Sequence, residues 1–243
     1  MIYAGIDIGN SRIKLFIDEN FYSFEYKKNW ISPIRRLFKK YSDKTVIATI
    51  SSVNQKKKSL LFKALSHFEN LETVEAGELI NQCKRIDFSQ TTGMGEDRKL
   101  GLIATLKYLK APFFTIDCGT AVTTNFVDKN YICKGGVIFP GAYTQLKSLA
   151  INTYALKNVK ANWDIEHIGK NSDDAISAGI LFSIIGGVKE AVSNFSKTEK
   201  ASNIKGIITG GYSKYIFPKL INNKIHIEYK KYLVLEGIMR LME

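Results

Sequence analysis

The hydrophobic and polar positions in the first part of the chain alternate in short blocks that predict strands and helices in mixed order. The predicted strands are 2–7, 12–17, 21–26 and 45–50, and the predicted helices are 31–41 and 56–68. Alternation of polar and apolar residues indicates half-buried strands, whereas apolar residues three and four positions apart indicate amphipathic helices. The order strand, strand, strand, helix, strand, helix predicts a layered α/β fold.

The rest of the chain has the same kind of pattern and begins again with an apolar run. The predicted helices are 95–110, 142–156, 172–195 and 233–242, and the predicted strands are 113–117, 121–127, 132–139, 203–208 and 225–229. A further short helix is expected after Thr209-Gly210-Gly211. Because no Pro- or Ser-rich linker separates the two halves, we expect them to pack directly against each other.

Two short segments, about half the chain apart, share one arrangement of residues. In residues 4–10 and again in residues 114–120, an apolar strand ends on an acid, a glycine follows two positions later, and a small polar residue comes next. The two acids are Asp7 and Asp117. We interpret this as a duplication, and we predict two α/β lobes, residues 1–112 and 113–243, with a nucleotide cleft between them.

The chemistry of these two segments is that of a phosphate-binding hairpin. Glycine lets the backbone of a tight turn approach a ligand, and the exposed N–H groups form a concavity that suits phosphate oxygens. An acid at the rim can hold a hydrated Mg²⁺ or another cation. An ordinary Asp-Gly hairpin turn would look the same in a single copy. Two copies in matching positions favour the binding site.

A second candidate is the segment Gly93-Met94-Gly95-Glu96-Asp97-Arg98, where two glycines lead into a predicted helix. One carboxylate at the helix start could act as a general base, with Arg98 placed to meet an anionic group. The alternative is a plain helix start, since acids in a first turn are favoured by the helix dipole. The glycine-rich run 135–141 and the segment 169–172 are further turn signals with weaker chemical content.

Composition narrows the class of protein without naming a function. The chain has 243 residues, 45% hydrophobic and 24% charged, which is typical of globular proteins and excludes a largely disordered chain. The three cysteines are widely spaced and have no metal-ligand pattern. We find no signal-like or membrane-spanning run, so we expect a cytoplasmic protein with no membrane partner.

The net charge of +12 raises the question of a polyanionic partner. The excess is mostly lysine on the predicted outer faces of helices, which is typical of solvated surfaces and not of a nucleic-acid site. We therefore do not expect nucleic acid as the main partner.

The ordered motifs resemble those of the type III pantothenate kinases over nearly the whole chain. The segments that carry the resemblance are Asp7-Ile8-Gly9-Asn10-Ser11, Gly95-Glu96-Asp97-Arg98, Asp117-Cys118-Gly119-Thr120-Ala121, the glycine-rich run 135–141, Gly169-Lys170-Asn171-Ser172 and Thr209-Gly210-Gly211. The resemblance implies duplicated RNase H-like lobes of the actin-like ATPase type. It also implies transfer of the ATP γ-phosphoryl group, with Mg²⁺, to the hydroxyl of pantothenate, a requirement for K⁺ or NH₄⁺, and a homodimer.

The same resemblance assigns roles to individual residues. Asp97 would be the catalytic base and Asp117 the ligand of the monovalent cation. The residues implied to bind ATP are Asp7, Ile8, Gly9, Asn10, Ser11, Arg12, Ile13, Lys14 and Thr120. The residues implied to bind pantothenate are Gly95, Glu96, Asp97, Arg98 and Ser172, the last standing where the family generally has threonine.

Three positions depart from the family pattern. Asn125 stands where the family often has a second acid, and Phe88 lies where some members place a substrate-contacting tyrosine. Residues 152–156 match the family's T-A-x-L-P stretch only approximately, with Lys157 in place of proline. Two alternatives therefore stay open, a kinase of another small hydroxylated substrate and a non-catalytic accessory transcription factor.

Overall fold

The computed structural model describes residues 1–243, and the chain forms two compact units. The first unit contains residues 1–86, 92–107 and 233–243, and the second contains residues 87–91 and 108–232. Up to residue 105 the elements are β1 (Ile2–Ile8), β2 (Arg12–Ile17), β3 (Asn20–Glu25), α1 (Ile31–Lys39), β4 (Val46–Ser52), α2 (Gln55–Leu65), β5 (Leu71–Glu75), α3 (Ala76–Gln82) and α4 (Glu96–Thr105). The remaining elements are β6 (Phe113–Cys118), β7 (Ala121–Val127), β8 (Cys133–Pro140), α5 (Ala142–Asn152), α6 (Ser172–Glu199), β9 (Lys205–Thr209), α7 (Ser213–Asn222), β10 (Ile227–Tyr229) and α8 (Leu233–Met242).

The first unit is built on a five-stranded sheet in the order β3-β2-β1-β4-β5. β1 pairs antiparallel with β2 and parallel with β4, which places Ile8 beside both Ile13 and Ser52. The alternating residues of β2 bury their apolar set in one core with the inner faces of α1 and α2. The ends of β1 and β4 therefore lie at the same edge of the sheet, next to the turn that joins β1 to β2.

The helices α3, α4 and α8 complete the first unit, and α8 packs on both α4 and β1. Gly237 allows a close crossing of α8 and α4, because a Cβ at this position would overlap the backbone of Leu100. Gly5 of β1 has the side chain of Ile238 directly above it, where a Cβ would meet the Ile238 Cγ2 atom at 3.1 Å. Gly5 and Gly237 thus allow α8 to pack closely against β1 and α4.

The second unit is built on a sheet of the same design, in the order β10-β9-β6-β7-β8. β6 pairs antiparallel with β7 and parallel with β9, as β1 does with β2 and β4. The predicted duplication is therefore confirmed at the level of strand order and direction.

The core of the second unit lies between its sheet and the helices α6 and α7. α6 is the one helix long and apolar enough to cross a membrane by length and composition, and half of its most apolar window is buried. Its buried residues include Ile180, Ile184 and Val188, which pack in the same cluster as Phe114 and Ile116 of β6. This is the packing of a core helix.

The structure departs from the sequence prediction at several elements. β5 and α3 were not predicted, and α4 ends at Thr105 instead of reaching residue 110. α5 ends at Asn152, four residues before the predicted end, whereas α6 continues to Glu199. The predicted lobe boundary after residue 112 also differs from the compact units, because α8 packs in the first unit.

Candidate active site

The turn between β1 and β2 carries the first candidate phosphate-binding segment. Asp7 and Lys14 face each other across the two strands, and the Lys14 Nζ atom lies 3.7 Å from the Asp7 Oδ2 atom. Asp7 is only 6% exposed. A carboxylate this deeply buried is costly unless a cation or hydrogen-bond donors stabilise it, and the Lys14 ammonium is a cation placed to do so.

The tip of this turn is formed by Gly9, Asn10 and Ser11. The Gly9 N–H donates to the Arg12 carbonyl at 3.1 Å, which closes the hairpin. Asn10 and Ser11 are exposed. A Cβ at Gly9 would come within 3.2 Å of that same carbonyl oxygen, so the position favours glycine. The tip therefore presents backbone and small polar side chains to solvent.

Two residues of the predicted ATP-binding set, Ile8 and Ile13, have fully buried side chains in the core of the first unit. Only their backbone groups can face a ligand at the turn. Arg12 instead lies on the exposed side of β2, where its guanidinium is 3.6 Å from the Glu25 carboxylate. Ile8 and Ile13 thus support the turn from the core, whereas the Arg12 side chain faces solvent.

The second hairpin, between β6 and β7, also has a glycine that closes its turn, two residues after Asp117. The Gly119 N–H donates to the Ala121 carbonyl at 3.0 Å, two residues on, whereas the Gly9 N–H donates to the carbonyl three residues on. Asp117 lies between Thr123 of β7 and Thr209 of β9 in the strand register. The carboxylate is thus in the middle of three strands, close to where β6 and β9 both end.

Glycine backbones from two further loops approach this turn. Gly210, directly after β9, has φ +101, and a Cβ there would overlap the Asp117 Oδ1 atom and the Cys118 nitrogen. Gly141, directly after β8, donates its N–H to the Thr120 carbonyl at 2.9 Å. The carboxylate oxygen of Asp117 thus sits in a glycine-lined cradle that any larger residue at position 210 would fill.

The carbonyl of Thr120 is fixed by two donors. Besides Gly141, the Thr144 hydroxyl donates to it at 2.6 Å from the first turn of α5. Neighbouring Cys118 is buried, and burial together with the negative charge of Asp117 raises the pKa of its thiol. Cys118 therefore stays a neutral thiol that packs in the core, which excludes it as a nucleophile at neutral pH.

The start of α4 carries the predicted catalytic base. Gly95 is the N-cap residue, and Glu96 and Asp97 lie in the first turn, where the helix dipole stabilises negative charge. The Asp97 Oδ1 atom accepts a hydrogen bond from the Arg98 N–H at 2.8 Å. The Glu96 carboxylate packs against Gly77 of α3, where a Cβ would come within 2.7 Å of its Oε1 atom. The two neighbouring acids therefore have different surroundings.

Ser172, the remaining residue of the predicted substrate set, is the first residue of α6 and is exposed. The N-cap residue of the helix is Asn171, whose side-chain oxygen accepts a hydrogen bond from the Asp174 N–H at 2.9 Å. A Cβ at Gly169 would overlap the backbone of Asp174 and Ala175, so the preceding loop lies directly on the helix start. The cap is thus provided by Asn171, which leaves the Ser172 hydroxyl at the surface.

The structure brings part of the predicted set together in each unit. Residues 7–14 and 95–98 belong to the first unit, whereas Asp117, Thr120 and Ser172 belong to the second. Within the second unit, the predicted K⁺ ligand Asp117 has no group of three or more His, Cys, Asp or Glu around it. A cation there would depend on backbone and ligand oxygens as well, which fits the oxygen-rich coordination of hard cations.

The positions that depart from the family pattern have ordinary structural surroundings. Asn125 is buried, and its Nδ2 atom lies 3.4 Å from the hydroxyl oxygens of both Thr115 and Thr123. Thr123 is the cross-strand neighbour of Asp117. The Phe88 carbonyl accepts from the Thr91 N–H and hydroxyl, which closes a turn at that position.

Sequence reasoning missed two contributors to these turns. Tyr26 donates its hydroxyl to the Gly9 carbonyl at 2.9 Å, although it is 17 residues away in the chain. Thr144 fixes the Thr120 carbonyl from α5. Neither residue belongs to a motif. For Tyr26, the one available signal was the predicted strand 21–26, which in the structure pairs with β2.

Two sheets of the same order, each with an acid-glycine hairpin at the carboxyl end of its first strand, define a fold of the actin-like type. Solved structures agree: component A of the (R)-2-hydroxyglutaryl-CoA dehydratase of Acidaminococcus fermentans matches with a TM-score of 0.53 at 13% identity, covering all of both chains. An archaeal actin homologue matches with a TM-score of 0.52 at 12% identity over 98% of both chains. The predicted fold class is confirmed.

Sequence comparison gives the family. The family model for type III pantothenate kinase matches residues 5–194. The type III pantothenate kinase of Sulfurihydrogenibium sp. is 33% identical over 78% of this chain and 73% of that protein, and the one of Azobacteroides pseudotrichonymphae is 28% identical over 99% and 96%. The chain belongs to the type III pantothenate kinase family, which confirms the predicted enzyme class, an ATP-dependent kinase.

One solved structure of a protein described as a transcriptional activator shares the fold. A Baf family transcriptional activator from Campylobacter jejuni matches with a TM-score of 0.64 at 20% identity, over 98% of this chain and 96% of that one. At this identity the likeness concerns the fold alone, so it does not favour a role in transcription over the kinase family.

Proposed function

We propose that this chain transfers the γ-phosphoryl group of ATP to the hydroxyl of pantothenate and gives 4'-phosphopantothenate, as a cytoplasmic homodimer. The observation that carries the proposal is the extent of the family match. Residues 5–194 include both hairpins, the start of α4 and the start of α6, and so contain every predicted site residue. The exposed turns, the acid at a helix start and the glycine-lined carboxylate are the parts that phosphoryl transfer requires.

Each of the two hairpin turns carries proposed ATP-binding residues within its own unit. In the first, the backbone N–H groups of Asn10 and Ser11 would face phosphate oxygens, and Lys14 would add positive charge close to them. In the second, Thr120 would contact the nucleotide from a turn that is fixed by Gly141 and Thr144. Mg²⁺ would arrive with ATP on the phosphate oxygens, with Asp7 as an acid at the rim of its site.

The proposed base is Asp97. Its Oδ1 atom is oriented by the Arg98 N–H, and Oδ2 is then the oxygen that can accept the proton of a substrate hydroxyl. A positioned side-chain carboxylate is one of the groups that general base catalysis uses. Arg98 would bind the carboxylate of pantothenate, since the guanidinium fork suits a planar anion.

Asp117 is the proposed ligand of K⁺ or NH₄⁺. Support comes from the cradle around its Oδ1 atom, which glycine backbones surround and which a Cβ at position 210 would fill. A bound monovalent cation would supply fixed positive charge near the phosphate oxygens. The chain's own contribution is to hold the carboxylate in place between β7 and β9.

The test is direct measurement of ADP and 4'-phosphopantothenate by chromatography, with purified protein, ATP, MgCl₂, pantothenate and either KCl or NaCl at equal ionic strength. We expect turnover with pantothenate that KCl stimulates. Direct detection avoids coupling enzymes, which have cation requirements of their own. No turnover with pantothenate but clear turnover with another small hydroxylated compound would overturn the substrate and keep the kinase class. Turnover that is equal in the two salts would overturn the cation site alone.

A further inference from the structure

Tyr26 lies one residue beyond the end of β3 and reaches the candidate phosphate-binding turn of the first unit. Its hydroxyl donates to the Gly9 carbonyl at 2.9 Å in a partly buried contact. The Gly9 carbonyl and the Asn10 N–H belong to one planar peptide group and point in opposite directions. A donor that holds the carbonyl therefore also fixes the direction in which the Asn10 N–H points.

The ring of Tyr26 is itself held in place. It makes an edge contact with Trp30, with ring centroids 5.0 Å apart, and the Lys57 ammonium lies 4.6 Å from its centroid. Lys57 is in the first turn of α2, which follows the end of β4 at the same edge of the sheet. These contacts fix the ring from two sides, so the hydroxyl has little freedom to leave the Gly9 carbonyl.

The surroundings of the Tyr26 hydroxyl keep it protonated, so that it can donate a hydrogen bond. Burial raises the pKa of its hydroxyl, and the negative charge of Asp7 raises it further. The phenol is thus protonated at neutral and mildly alkaline pH.

We infer that Tyr26 is a positioning residue for the phosphate-binding turn, which orients the Asn10 N–H towards the ATP phosphates by holding the Gly9 carbonyl from behind. The inference rests on the proposed role of the first hairpin in ATP binding. Tyr26 itself does not touch the nucleotide. Glycine at position 9 leaves the peptide group free to rotate, and the Tyr26 hydrogen bond removes that freedom before ATP binds.

The test is Tyr26→Phe in the full-length protein, which removes the hydroxyl and keeps the ring. Binding of a non-hydrolysable ATP analogue with Mg²⁺ is measured by calorimetry, together with the KM for ATP, the KM for pantothenate and kcat. A hydrogen bond of this kind is worth roughly two- to tenfold in an equilibrium. We expect the Kd of the analogue and the KM for ATP to rise by that factor, with kcat and the KM for pantothenate unchanged.

Tyr41→Phe is the matched control, because Tyr41 is a buried tyrosine of the same unit whose hydroxyl lies 3.5 Å from Asp18, in the turn after β2. It should leave analogue binding unchanged. A second variant, Trp30→Phe, keeps the Tyr26 hydroxyl and loosens its ring, and should weaken analogue binding by a smaller factor. An unchanged Kd in Tyr26→Phe, or equal loss for ATP and pantothenate, would overturn the inference. Because analogue binding needs no turnover, failure of pantothenate as substrate would not affect this test.

Discussion

The Lys14 ammonium lies 3.7 Å from the Asp7 carboxylate, across the two strands that lead into the first candidate phosphate-binding turn. The side chains of Lys14 and Asp7 are 21% and 9% exposed. Such a pair is poorly screened by solvent, and the loss of one partner leaves the other charge buried. The pair therefore links the stability of the first sheet to the electrostatics of the turn.

Lys14→Met should weaken both the fold and ATP binding. We expect a loss of about 1–2 kcal/mol in the free energy of unfolding, less than for a fully buried pair since Lys14 keeps some solvent contact. The KM for ATP should rise because the turn loses the positive charge beside Asp7. Urea unfolding and steady-state kinetics measure the two effects. Lys27→Met is the control, because the Lys27–Glu25 pair at 3.2 Å is largely exposed and should contribute little.

Asp97→Asn should remove the base while the nucleotide still binds. General base catalysis contributes about 10²–10⁴-fold, so kcat should fall by a factor in that range. Binding of a non-hydrolysable ATP analogue should stay the same, since the amide keeps the shape of the carboxylate and its oxygen can still accept from the Arg98 N–H. Glu78→Gln, at the first turn of α3, is a control for loss of an acid at a helix start of the same unit. Full activity of Asp97→Asn would reassign the base.

Local patterns predicted the strands of both hairpins because the first strand of each is an apolar run that ends at an acid-glycine turn, and these are properties of neighbouring residues. β5 and α3 were missed since only Ala76 and Ile80 are buried among residues 71–82, and β5 is defined by its pairing with β4. The place of α8 could not be predicted either. Its periodicity shows which face is apolar but not which sheet receives it, and the decisive contact is between Gly237 and Leu100, far apart in sequence.

For the candidate site too, residues in local motifs could be predicted and residues that act through distant contacts could not. Asp7, Asp97 and Asp117 could be predicted as site residues because each stands in a short motif, two positions from a glycine. Tyr26 and Thr144 could not, because each reaches a turn from a different element and has no motif of its own. The sequence alone does not show which distant residues donate hydrogen bonds to the carbonyls of a turn.

Gly237→Ala should destabilise the first unit. The added methyl group would overlap the backbone of Leu100, and backbone in a packed helix pair cannot move without separating α8 from α4. Overpacking of this kind costs about 1–3 kcal/mol. Thermal and urea unfolding measure the loss. Gly179→Ala is the matched control in α6, where a Cβ meets nothing within 4 Å, and the better helix propensity of alanine should leave stability unchanged or raised.

The three cysteines should differ in reactivity. Burial and the charge of Asp117 raise the pKa of Cys118, so the thiolate that reacts with iodoacetamide does not form as the pH rises to mildly alkaline values. Cys133 is also buried, whereas Cys83 is partly exposed. We expect mass spectrometry of the native protein under mildly alkaline conditions to find the label on Cys83, and all three sites labelled after unfolding. Rapid native labelling of Cys118 would show that the β6–β7 turn opens.

Gly210→Ala should disrupt the cradle around Asp117. Gly210 has φ +101, which alanine adopts only with strain, and the new Cβ would overlap the Asp117 Oδ1 atom and the Cys118 nitrogen. The carboxylate must then turn away from its position beside Thr209. We expect the concentration of KCl needed for half-maximal activation to rise and the protein to lose about 1–3 kcal/mol of stability.

Gly211→Ala is the matched control, which distinguishes an effect on the Asp117 cradle from a general effect on this loop. Gly211 has open space around its Cβ position and no positive φ. This variant should keep both stability and KCl activation. The decisive measurement is the KCl activation curve of Gly210→Ala at a temperature well below its unfolding midpoint. If the curve matches that of the parent while only stability falls, Asp117 is not the cation ligand. If the midpoint shifts while the KM for pantothenate does not, the cation site lies at the β6–β7 turn.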